Sequence, residues 1–372
     1  MKVTLERATL LRSLGHVHRI VERRTTIPIL SNILLRTGEN ALHLKATDLD
    51  IEVTEAIAAE VVQGGATTVP AYVIHDIVRK LPEGAQVSLE TSDEGNQIVI
   101  RSGRSRFVLQ TLPETDFPNI AEGDFSHEFT IPAANLKLLI DKTQFAISTE
   151  ETRYYLNGIF FHVLENNGET WLRSVATDGH RLARVDVAAP EGAAGMPGVI
   201  VSRKAVSEIL KLVEDGTESI RVELSTAKIR LTFGTVVFTS KLIDGTYPDY
   251  QRVIPAGNDR TLFVERDVFT RAVDRVATMA QEKSRAIKLA LSDGKLTLSV
   301  NNPDSGSASE DLEVDYDSPA MEIGFNAKYL LDIAGQLDAD TAVFKFLDSN
   351  APALIQNREG SAALYILMPM RV

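Results

Sequence analysis

The segment with the greatest potential for chemistry is Thr177-Asp178-Gly179-His180-Arg181. An aspartate and a histidine two residues apart could act as acid and base, because both side chains exchange protons. The corresponding place earlier in the chain reads Ala46-Thr47-Asp48-Leu49-Asp50, so the Ala-Thr-Asp sequence occurs twice. We interpret it as a structural turn whose aspartate bonds the local backbone, and we predict no catalytic residue.

No other pattern indicates a metal or nucleotide site. The seven histidines form no HExxH spacing, and His16 and His18 would point to different faces of a helix. The chain has no cysteine, which excludes disulfides, thiol catalysis and cysteine-ligated zinc. Neither a phosphate-binding loop nor a dinucleotide-binding GxGxxG motif occurs. The sequence therefore predicts no metal ion and no other cofactor.

The elements that must position these residues repeat three times along the 372-residue chain. Two helix-forming segments occur in each repeat, and each is followed by alternating apolar runs with glycine turns, which predict antiparallel strands. The paired segments begin at Val3 and Val69, at Phe129 and Val201, and at Leu262 and Phe325. We predict an α+β fold of three homologous domains, residues 1–121, 128–251 and 252–372. Each domain is expected to be a twofold repeat of helix and antiparallel sheet.

Positive charge is concentrated in the predicted helices. These helices span residues 4–24, 71–81, 133–147, 202–214, 265–280 and 326–337. The total net charge is −12 and these segments carry +6, so the remaining residues carry −18. Lysine and arginine also suit solvated helix faces, which is the simpler explanation. The alternative is that the repeated helices form one basic surface for a phosphate backbone, and without a recognition helix such binding would not depend on base sequence.

The overall composition is that of an ordinary globular protein, with 44% hydrophobic and 24% charged residues. No run approaches the roughly 18 apolar residues that a membrane helix needs. The first residues lack the apolar core of a signal peptide. We therefore expect a cytoplasmic protein that does not bind membranes.

Eight segments of the chain resemble the bacterial DNA sliding clamp, the beta subunit of DNA polymerase III, in the order in which that family has them. They are IPILSNILL from Ile27, RSGRSRF from Arg101, DFPN from Asp116, RYYLNG from Arg153, ATDGHRLA from Ala176, FTSKLIDGTYPDY from Phe238, EIGFN from Glu322 and MPMRV from Met368. The resemblance implies DNA-clamp domains that form a six-domain ring as a head-to-tail homodimer around duplex DNA. It also implies a non-enzymatic processivity factor that binds a clamp loader, the replicative polymerase and other proteins with clamp-binding motifs.

The resemblance further implies a pocket for partner peptides between the second and third domains. Its residues here would be Leu156, Thr177, Gly179, His180, Arg181, Leu182, Pro248, Arg252, Val253, Asn326, Tyr329, Ile366, Leu367, Met368, Pro369, Met370 and Arg371. Methionine is a flexible side chain that suits a surface with several partners. The alternative is that a last strand buries both terminal methionines in the core of the third domain.

Two further sites are implied by the resemblance. The DNA contacts would be Arg24, Tyr154, Tyr155, Arg203 and Lys204, whereas Tyr72 and Val73 stand where relatives carry basic residues. The dimer contact would join two sets, Arg104, Arg106, Phe107 and Leu109 on the first domain, and Thr278, Met279, Asp304, Glu310 and Asp311 on the third. Gly306, Ser307 and Ser309 replace acidic residues there, so we expect fewer ion pairs between subunits. Exposed pairs contribute only about 0–1 kcal/mol each, and the dimer should survive their loss.

Two other interpretations stay open at this point. One is an enzyme on a repeated α+β scaffold, with a site at Asp178 and His180. The other is a monomeric or filamentous scaffold, which the same repeats would form if a head-to-tail contact did not close into a ring.

Overall fold

We describe the chain from a computed structural model, which covers residues 1–120, 123–213, 217–281, 285–358 and 361–371. The chain separates into two compact units. The first consists of Met1–Ala134, Pro190–Met196 and Ser207–Leu242, and the second consists of Asn135–Ala189, Pro197–Val206 and Ile243–Val372. Within the described ranges, no helix is both long enough and apolar enough to span a membrane.

One order of elements occurs three times: a strand, a helix, several strands, a second helix and three strands. The first round contains β1 Lys2–Glu6, α1 Arg7–Val17, β2 Asn32–Thr37, β3 Ala41–Thr47, β4 Ile51–Ala58, β5 Glu60–Gln63, β6 Ala66–Pro70, α2 Ala71–Lys80, β7 Gln86–Thr91, β8 Gln97–Ser102 and β9 Ser105–Gln110. The second contains β10 His127–Pro132, α3 Ala133–Asp141, β11 Gly158–Asn166, β12 Glu169–Thr177, β13 Arg181–Ala188, β14 Val199–Ser202, α4 Arg203–Leu212, β15 Ser219–Leu224, β16 Lys228–Phe233 and β17 Val236–Lys241. The third contains β18 Arg260–Glu265, α5 Arg266–Ala277, β19 Ala286–Ser292, β20 Lys295–Asn302, β21 Gly306–Glu313, β22 Met321–Asn326, α6 Ala327–Ala334, β23 Thr341–Phe346, β24 Ala353–Asn357 and β25 Ala363–Leu367. The predicted α+β class and its repeat are confirmed.

The first unit contains two antiparallel sheets. Their strand orders are β5-β1-β7-β8-β9 and β10-β15-β16-β17-β4-β3-β2-β6. Helix α1 packs on this unit through Leu10, Leu14 and Val17, which follow a helical spacing and are all fully buried. Strand β4 of this unit alternates between buried and half-buried residues and ends at the exposed Ala58.

The second unit contains the other two antiparallel sheets, with strand orders β14-β11-β12-β13-β25-β24-β23-β18 and β21-β20-β19-β22. In the larger sheet β13 pairs with β25, and Leu182 lies opposite Ile366. This pairing brings the last strand of the chain beside the start of β13, where the Thr-Asp-Gly turn ends.

The predicted helices were too long at several ends. The segment 4–24 contains a helix only over Arg7–Val17, because Lys2–Glu6 pair with β7 as strand β1. The segment 133–147 is helical only over Ala133–Asp141, and a short 3-10 helix follows at Gln144–Ala146. The six observed helices nevertheless carry a net charge of +6, as the longer predicted segments did.

A cluster of rings joins the end of α1 to α2. The imidazoles of His18 and His75 are stacked with centroids 3.9 Å apart, and the Tyr72 ring meets His18 edge-on at 5.6 Å. Burial is the main cause that lowers the pKa of both histidines. Arg19 also lowers both pKa values, Arg79 lowers that of His75, and Asp76 raises it. The stacked pair is therefore favoured in its neutral form.

We predict that the stability of the first unit falls as the pH drops below about 6.5. Because the folded pKa values of His18 and His75 are lowered, the unfolded chain gains protons there that the folded chain does not bind. Urea unfolding at pH 5.5 and pH 8 measures this, with the variant His75→Phe as the comparison. The variant keeps a stacked ring without a titrating group, so its unfolding free energy should change less with pH. Equal pH dependence in both proteins would contradict the prediction.

Candidate functional site

The turn Thr177–Arg181 is held by its own side chains. One Asp178 carboxylate oxygen accepts hydrogen bonds from the backbone N–H groups of His180 at 2.9 Å and Arg181 at 3.0 Å. The Thr177 hydroxyl accepts from the Gly179 N–H at 3.1 Å and donates to the Arg181 carbonyl at 2.6 Å. Gly179 has a φ of +88°, a conformation that favours glycine.

The same turn occurs in the first unit at Thr47–Ile51. The Asp48 carboxylate accepts from the N–H groups of Asp50 and Ile51 at 2.9 and 2.7 Å. The Thr47 hydroxyl accepts from the Leu49 N–H and donates to the Ile51 carbonyl. Leu49 occupies the position of Gly179 and also has a positive φ, +81°. The prediction of a repeated structural turn with backbone-bonded aspartates is therefore confirmed.

Arg181 connects this turn to helix α6. Its guanidinium is buried and donates to the Asp178 carboxylate at 3.1 Å, to the Phe145 carbonyl at 2.8 Å and to the Asp332 carboxylate. It also lies 4.4 Å from the centroid of the Tyr329 ring. A buried charge is tolerated only when it is paired and hydrogen-bonded, and both conditions are met here. Arg181 thus fixes the backbone beside which a pocket opens.

That pocket has a volume of about 290 Å³. It is lined by Arg153, Tyr155, Leu156, Thr177, Gly179, Arg181, Leu182, Pro248, Asp249, Tyr250, Val253, Ile366 and Met368. Its floor belongs to a buried apolar cluster that includes Leu156, Leu182, Tyr250 and Ile366. Val253 and Met368 are exposed apolar side chains, 43% and 38% accessible. Apolar walls with a few polar groups are typical of ligand pockets.

Nine of the residues predicted for the partner-peptide pocket line this cavity. They are Leu156, Thr177, Gly179, Arg181, Leu182, Pro248, Val253, Ile366 and Met368. Pro369, Met370 and Arg371 instead line a second cleft of about 480 Å³, together with Glu322, Ile323, Gly324, Ser349 and Asn350. Met368 is exposed and Met370 half-buried, so the alternative that buries both methionines in a core is wrong.

The other predicted pocket residues lie around the two cavities. His180 stacks on Tyr329 with centroids 6.1 Å apart, and Asn326 caps helix α6 by accepting from the Lys328 and Tyr329 N–H groups. Arg252 is exposed and paired with Asp249 at 2.8 Å. Leu367 is completely buried and lines neither cavity.

Four residues of the first cavity were absent from the predicted set: Arg153, Tyr155, Asp249 and Tyr250. The resemblance predicts Tyr155 to contact DNA alone, although it predicts its neighbour Leu156 to lie in the pocket. Asp249 and Tyr250 lie between Pro248 and Arg252, which are both predicted pocket residues. Their position in the chain could therefore have indicated that they also line the pocket. Arg153 is brought in by its bond to the Asp178 carbonyl at 3.1 Å, which no spacing in the sequence indicates.

The residues predicted to contact DNA are on the surface. Arg24 is exposed in the first unit. In the second unit, Tyr154 is 53% accessible and meets the half-buried Tyr155 edge-on with ring centroids 5.7 Å apart. The Arg203 N–H donates to the Asn157 carbonyl, which places the start of α4 beside the two tyrosines, and Lys204 is exposed. Arg203 also donates to the carbonyls of Ile147 and Ser148 at 2.7 Å.

The residues predicted for the dimer contact lie on two edge strands or next to them. Strand β9 is the last of its sheet and carries exposed Arg106 and half-buried Phe107 and Leu109, with Arg104 exposed in the preceding turn. Strand β21 is also an edge strand. Its Glu310 is already bound by Arg275 of the same chain, with one bond of 3.0 Å. Exposed Thr278, half-buried Met279 and exposed Asp304 lie near its start, and the Met279 carbonyl accepts from Asn302.

Comparison with known proteins decides the family. Models of the N-terminal, central and C-terminal domains of the DNA polymerase III beta subunit match residues 1–121, 130–249 and 251–371. The beta sliding clamp of Caulobacter vibrioides is 51% identical over 372 residues, which is 100% of both chains. The chain belongs to the DNA polymerase III beta subunit family. The resemblance noted in the sequence is therefore confirmed over the full length.

Solved structures of this family share its fold. The Bartonella birtlesii sliding clamp bound to griselimycin has a TM-score of 0.97 and 54% identity, with 100% of both chains covered. The Pseudomonas aeruginosa sliding clamp bound to griselimycin has a TM-score of 0.95 and 39% identity, again with full coverage. The three domains are thus beta-subunit clamp domains of mixed helix and antiparallel sheet.

The geometry of Asp178 does not suit the catalytic alternative. One carboxylate oxygen is bonded to the turn backbone, and the other is paired with Arg181 at 3.1 Å. Both carboxylate oxygens are thus engaged by the turn and by Arg181, which disfavours Asp178 as a base for a substrate proton. Across the described ranges, no three His, Asp or Glu side chains gather in a way that could hold a metal ion.

We predict that a glycine at the positive-φ position stabilises both copies of the turn, so introducing it at Leu49 raises the stability of the protein and removing it at Gly179 lowers it. Leu49→Gly should stabilise the protein by roughly 0.5–1 kcal/mol, because a non-glycine residue in the left-handed region costs roughly 1–2 kcal/mol and glycine's chain entropy offsets part of the gain. Gly179→Ala should destabilise it by roughly 1 kcal/mol, since the new Cβ would also lie 2.6 Å from an Arg153 nitrogen.

Thermal and urea unfolding of the purified variants measure both effects. Leu49→Ala is the matched control, because it removes the same leucine side chain but keeps a Cβ in the left-handed conformation. A Leu49→Gly variant that is no more stable than Leu49→Ala would show that the positive φ at this turn is not strained.

Proposed function

We propose that this protein is a processivity clamp. Two copies close head to tail into a ring that encircles duplex DNA, slides along it independently of sequence and tethers the replicative polymerase and other proteins. The observation that carries the proposal is the apolar pocket beside the Thr177–Arg181 turn, within a chain that matches beta sliding clamps over its entire length. The protein acts by binding, without catalysis of its own, in the cytoplasm.

The pocket is suited to a short peptide with hydrophobic anchors. Its apolar floor is buried, while Val253 and Met368 leave large apolar side chains in contact with solvent. Covering such side chains removes apolar surface from water, which is worth roughly 1.5–3 kcal/mol for each large side chain that becomes fully buried. The relatives from Bartonella birtlesii and Pseudomonas aeruginosa both bind griselimycin, and we propose that this pocket binds it here. The second cleft, at Pro369–Arg371, extends the site for partner proteins.

Two edge strands, β9 and β21, support the ring. Strand β9 offers basic and apolar side chains, and β21 offers Glu310, Asp311 and Glu313, so their charges are complementary. An edge strand can pair with a strand from another chain, and two such contacts related by a twofold axis close a dimer. Glu310 is bound by Arg275 of its own chain, so it can pair with an arginine of the other copy only if it releases Arg275. The backbone and apolar contacts would therefore dominate the interface.

Retention on DNA must be topological under this proposal. The chain has a net charge of −12, so it repels a polyanion as a whole, although its helices carry +6. The proposed contacts, Arg24, Tyr154, Tyr155, Arg203 and Lys204, neutralise few phosphates. Each neutralised phosphate adds a slope of roughly −0.9 in log affinity against log salt. Direct affinity should therefore be weak, whereas a closed ring cannot leave circular DNA.

We predict that truncating the apolar wall weakens ligand binding at the pocket. Val253→Ala and Met368→Ala should each weaken griselimycin binding by roughly tenfold, because each removes two or more carbon-sized groups worth about 0.8 kcal/mol apiece. Deletion of Met368–Val372 should abolish binding while the dimer persists. Isothermal titration calorimetry provides the affinities.

Leu347→Ala is the matched control for these variants. Leu347 is also an exposed apolar residue of the second unit, 44% accessible, but it lines neither cavity. Its truncation should leave the affinity unchanged. Wild-type affinity in the Val253 and Met368 variants and in the deletion would place the site elsewhere.

We predict that the loaded protein survives high salt on nicked circular DNA and is lost when the circle is cut. Light scattering at micromolar concentration should first give twice the 40.8 kDa chain mass. The half-life of the complex is then followed by gel filtration, with Arg24→Ala and Lys204→Ala expected to change it little on the intact circle. Release from the intact circle as fast as from cut DNA would show that contact energy, and not a ring, retains the protein.

A further inference from the structure

A row of polar side chains crosses the large sheet of the second unit. His162 on β11 lies opposite Arg173 on β12, and Arg173 lies opposite Asp186 on β13. On the same strands, Thr177 lies opposite Leu182. Thr177 follows Arg173 by four residues, and Leu182 precedes Asp186 by four residues, so both separations are even. Because side chains alternate between the two faces of a sheet, the row shares its face with the pocket floor.

The middle of the row is a buried ion pair. Arg173 is only 8% accessible and holds both oxygens of Asp186, at 2.6 and 2.8 Å. Arg184 also contacts Asp186, at 3.2 Å. A two-pronged arginine–carboxylate pair has a fixed geometry, so the guanidinium cannot rotate without breaking a bond. Its remaining nitrogen is therefore held in one place.

Tyr250 joins this row to the pocket. Its ring is buried in the apolar cluster of the pocket floor and lines the cavity. Its hydroxyl lies 3.1 Å from the third Arg173 nitrogen and 2.8 Å from His162 Nε2. Tyr250 also begins the 3-10 helix Tyr250–Val253, whose last residue is an exposed wall of the cavity. The hydroxyl thus anchors this segment to the row.

The protons in this network can be assigned from the donors present. Arginine only donates, so the Tyr250 oxygen accepts from Arg173. His162 Nδ1 lies 3.4 Å from the Val163 carbonyl, which can only accept, so the neutral imidazole carries its proton on Nδ1 and its Nε2 accepts from the Tyr250 O–H. This requires His162 to be neutral with an unprotonated Nε2. Burial lowers the pKa of His162, and the nearby Arg173 lowers it further, while Asp186 and the Val163 carbonyl raise it. The neutral form is therefore favoured.

We propose that Arg173, Asp186 and His162 are positioning residues for the pocket: they clamp the Tyr250 hydroxyl and thereby fix the pocket wall formed by Tyr250 and Val253. This rests on the proposed function of the pocket as a peptide-binding site. None of the three residues lines the cavity, so they act on a bound ligand only through Tyr250. Their side chains set where the apolar wall stands before a ligand arrives, and a preformed wall lowers the ordering cost of binding.

The test measures griselimycin affinity by calorimetry for variants of the full-length protein. Tyr250→Phe removes only the hydroxyl. Arg173→Lys keeps the positive charge, but a lysine cannot bond both Asp186 oxygens and the Tyr250 hydroxyl at the same time. Each should weaken binding roughly fivefold, the equivalent of one hydrogen bond. The double variant should also be roughly fivefold weaker, because the two changes break the same contact. Arg221→Lys, at an exposed two-pronged pair with Glu128, is the matched control and should have wild-type affinity.

The pH profile distinguishes positioning from a general loss of stability. Because the pKa of His162 is lowered in the folded protein, its Nε2 gains a proton only at a pH below the usual histidine range. It can then no longer accept from Tyr250, so wild-type affinity should fall there. In Tyr250→Phe this bond is already absent, and the fall should be much smaller. The variant His180→Gln, which changes the histidine of the Thr177–Arg181 turn, should retain the wild-type pH dependence if His162 causes it. Thermal unfolding checks that each variant is folded at each pH.

Three outcomes would overturn the inference. Wild-type affinity and pH profile in Tyr250→Phe would overturn the positioning role while leaving the pocket itself intact. A loss of affinity of about 25-fold in the double variant, the product of the two single losses, would show that Arg173 and Tyr250 act separately. If wild-type protein does not bind griselimycin, or binds it equally after loss of Val253 and Met368 side chains, the proposed function of the pocket fails and the positioning role fails with it.

Discussion

The pairing of strand β13 with β25 is the constraint on which the second unit depends. Residues 181–185 are joined to residues 363–367 by a regular antiparallel ladder. Because the register is fixed by backbone hydrogen bonds, the side chains of Leu182 and Ile366 must share one face. The backbone then continues in the same direction, and the Met368 N–H donates to the His180 carbonyl. The end of the chain is thereby held beside the Thr177–Arg181 turn.

Buried ion pairs also hold the geometry of that region. Two buried arginines, Arg181 and Arg173, lie on the strands that build the cavity. Each is satisfied by carboxylates and by backbone or tyrosine oxygen atoms. A buried pair of this kind adds little net stability, since desolvation offsets much of the attraction. It does fix geometry, because loss of one partner leaves a charge without compensation.

The Thr-Asp turn occurs in two copies, and only the copy at Thr177 lies at the pocket. In both copies, the threonine hydroxyl and the aspartate carboxylate satisfy the turn backbone in the same way. The copies differ in the residue at positive φ, Leu49 in one and Gly179 in the other. Arg153 lies against Gly179 in the space where a side chain would be, and it lines the pocket. The glycine thus makes room for a residue that contributes to the site.

The sequence by itself determined the repeated order of elements, the α+β class, the family and the backbone role of Asp48 and Asp178. These follow from local patterns: apolar periodicity, glycine turns and short-range hydrogen bonds. It also named most of the pocket, through segments that carry the resemblance. It misplaced the start of α1, because Lys2–Glu6 become a strand by pairing with β7, and it extended α3 beyond Asp141. Only the tertiary structure decided that Tyr250 joins a row of His162, Arg173 and Asp186, since that contact depends on strand register and on a helix that lies more than 60 residues from Asp186 in the chain.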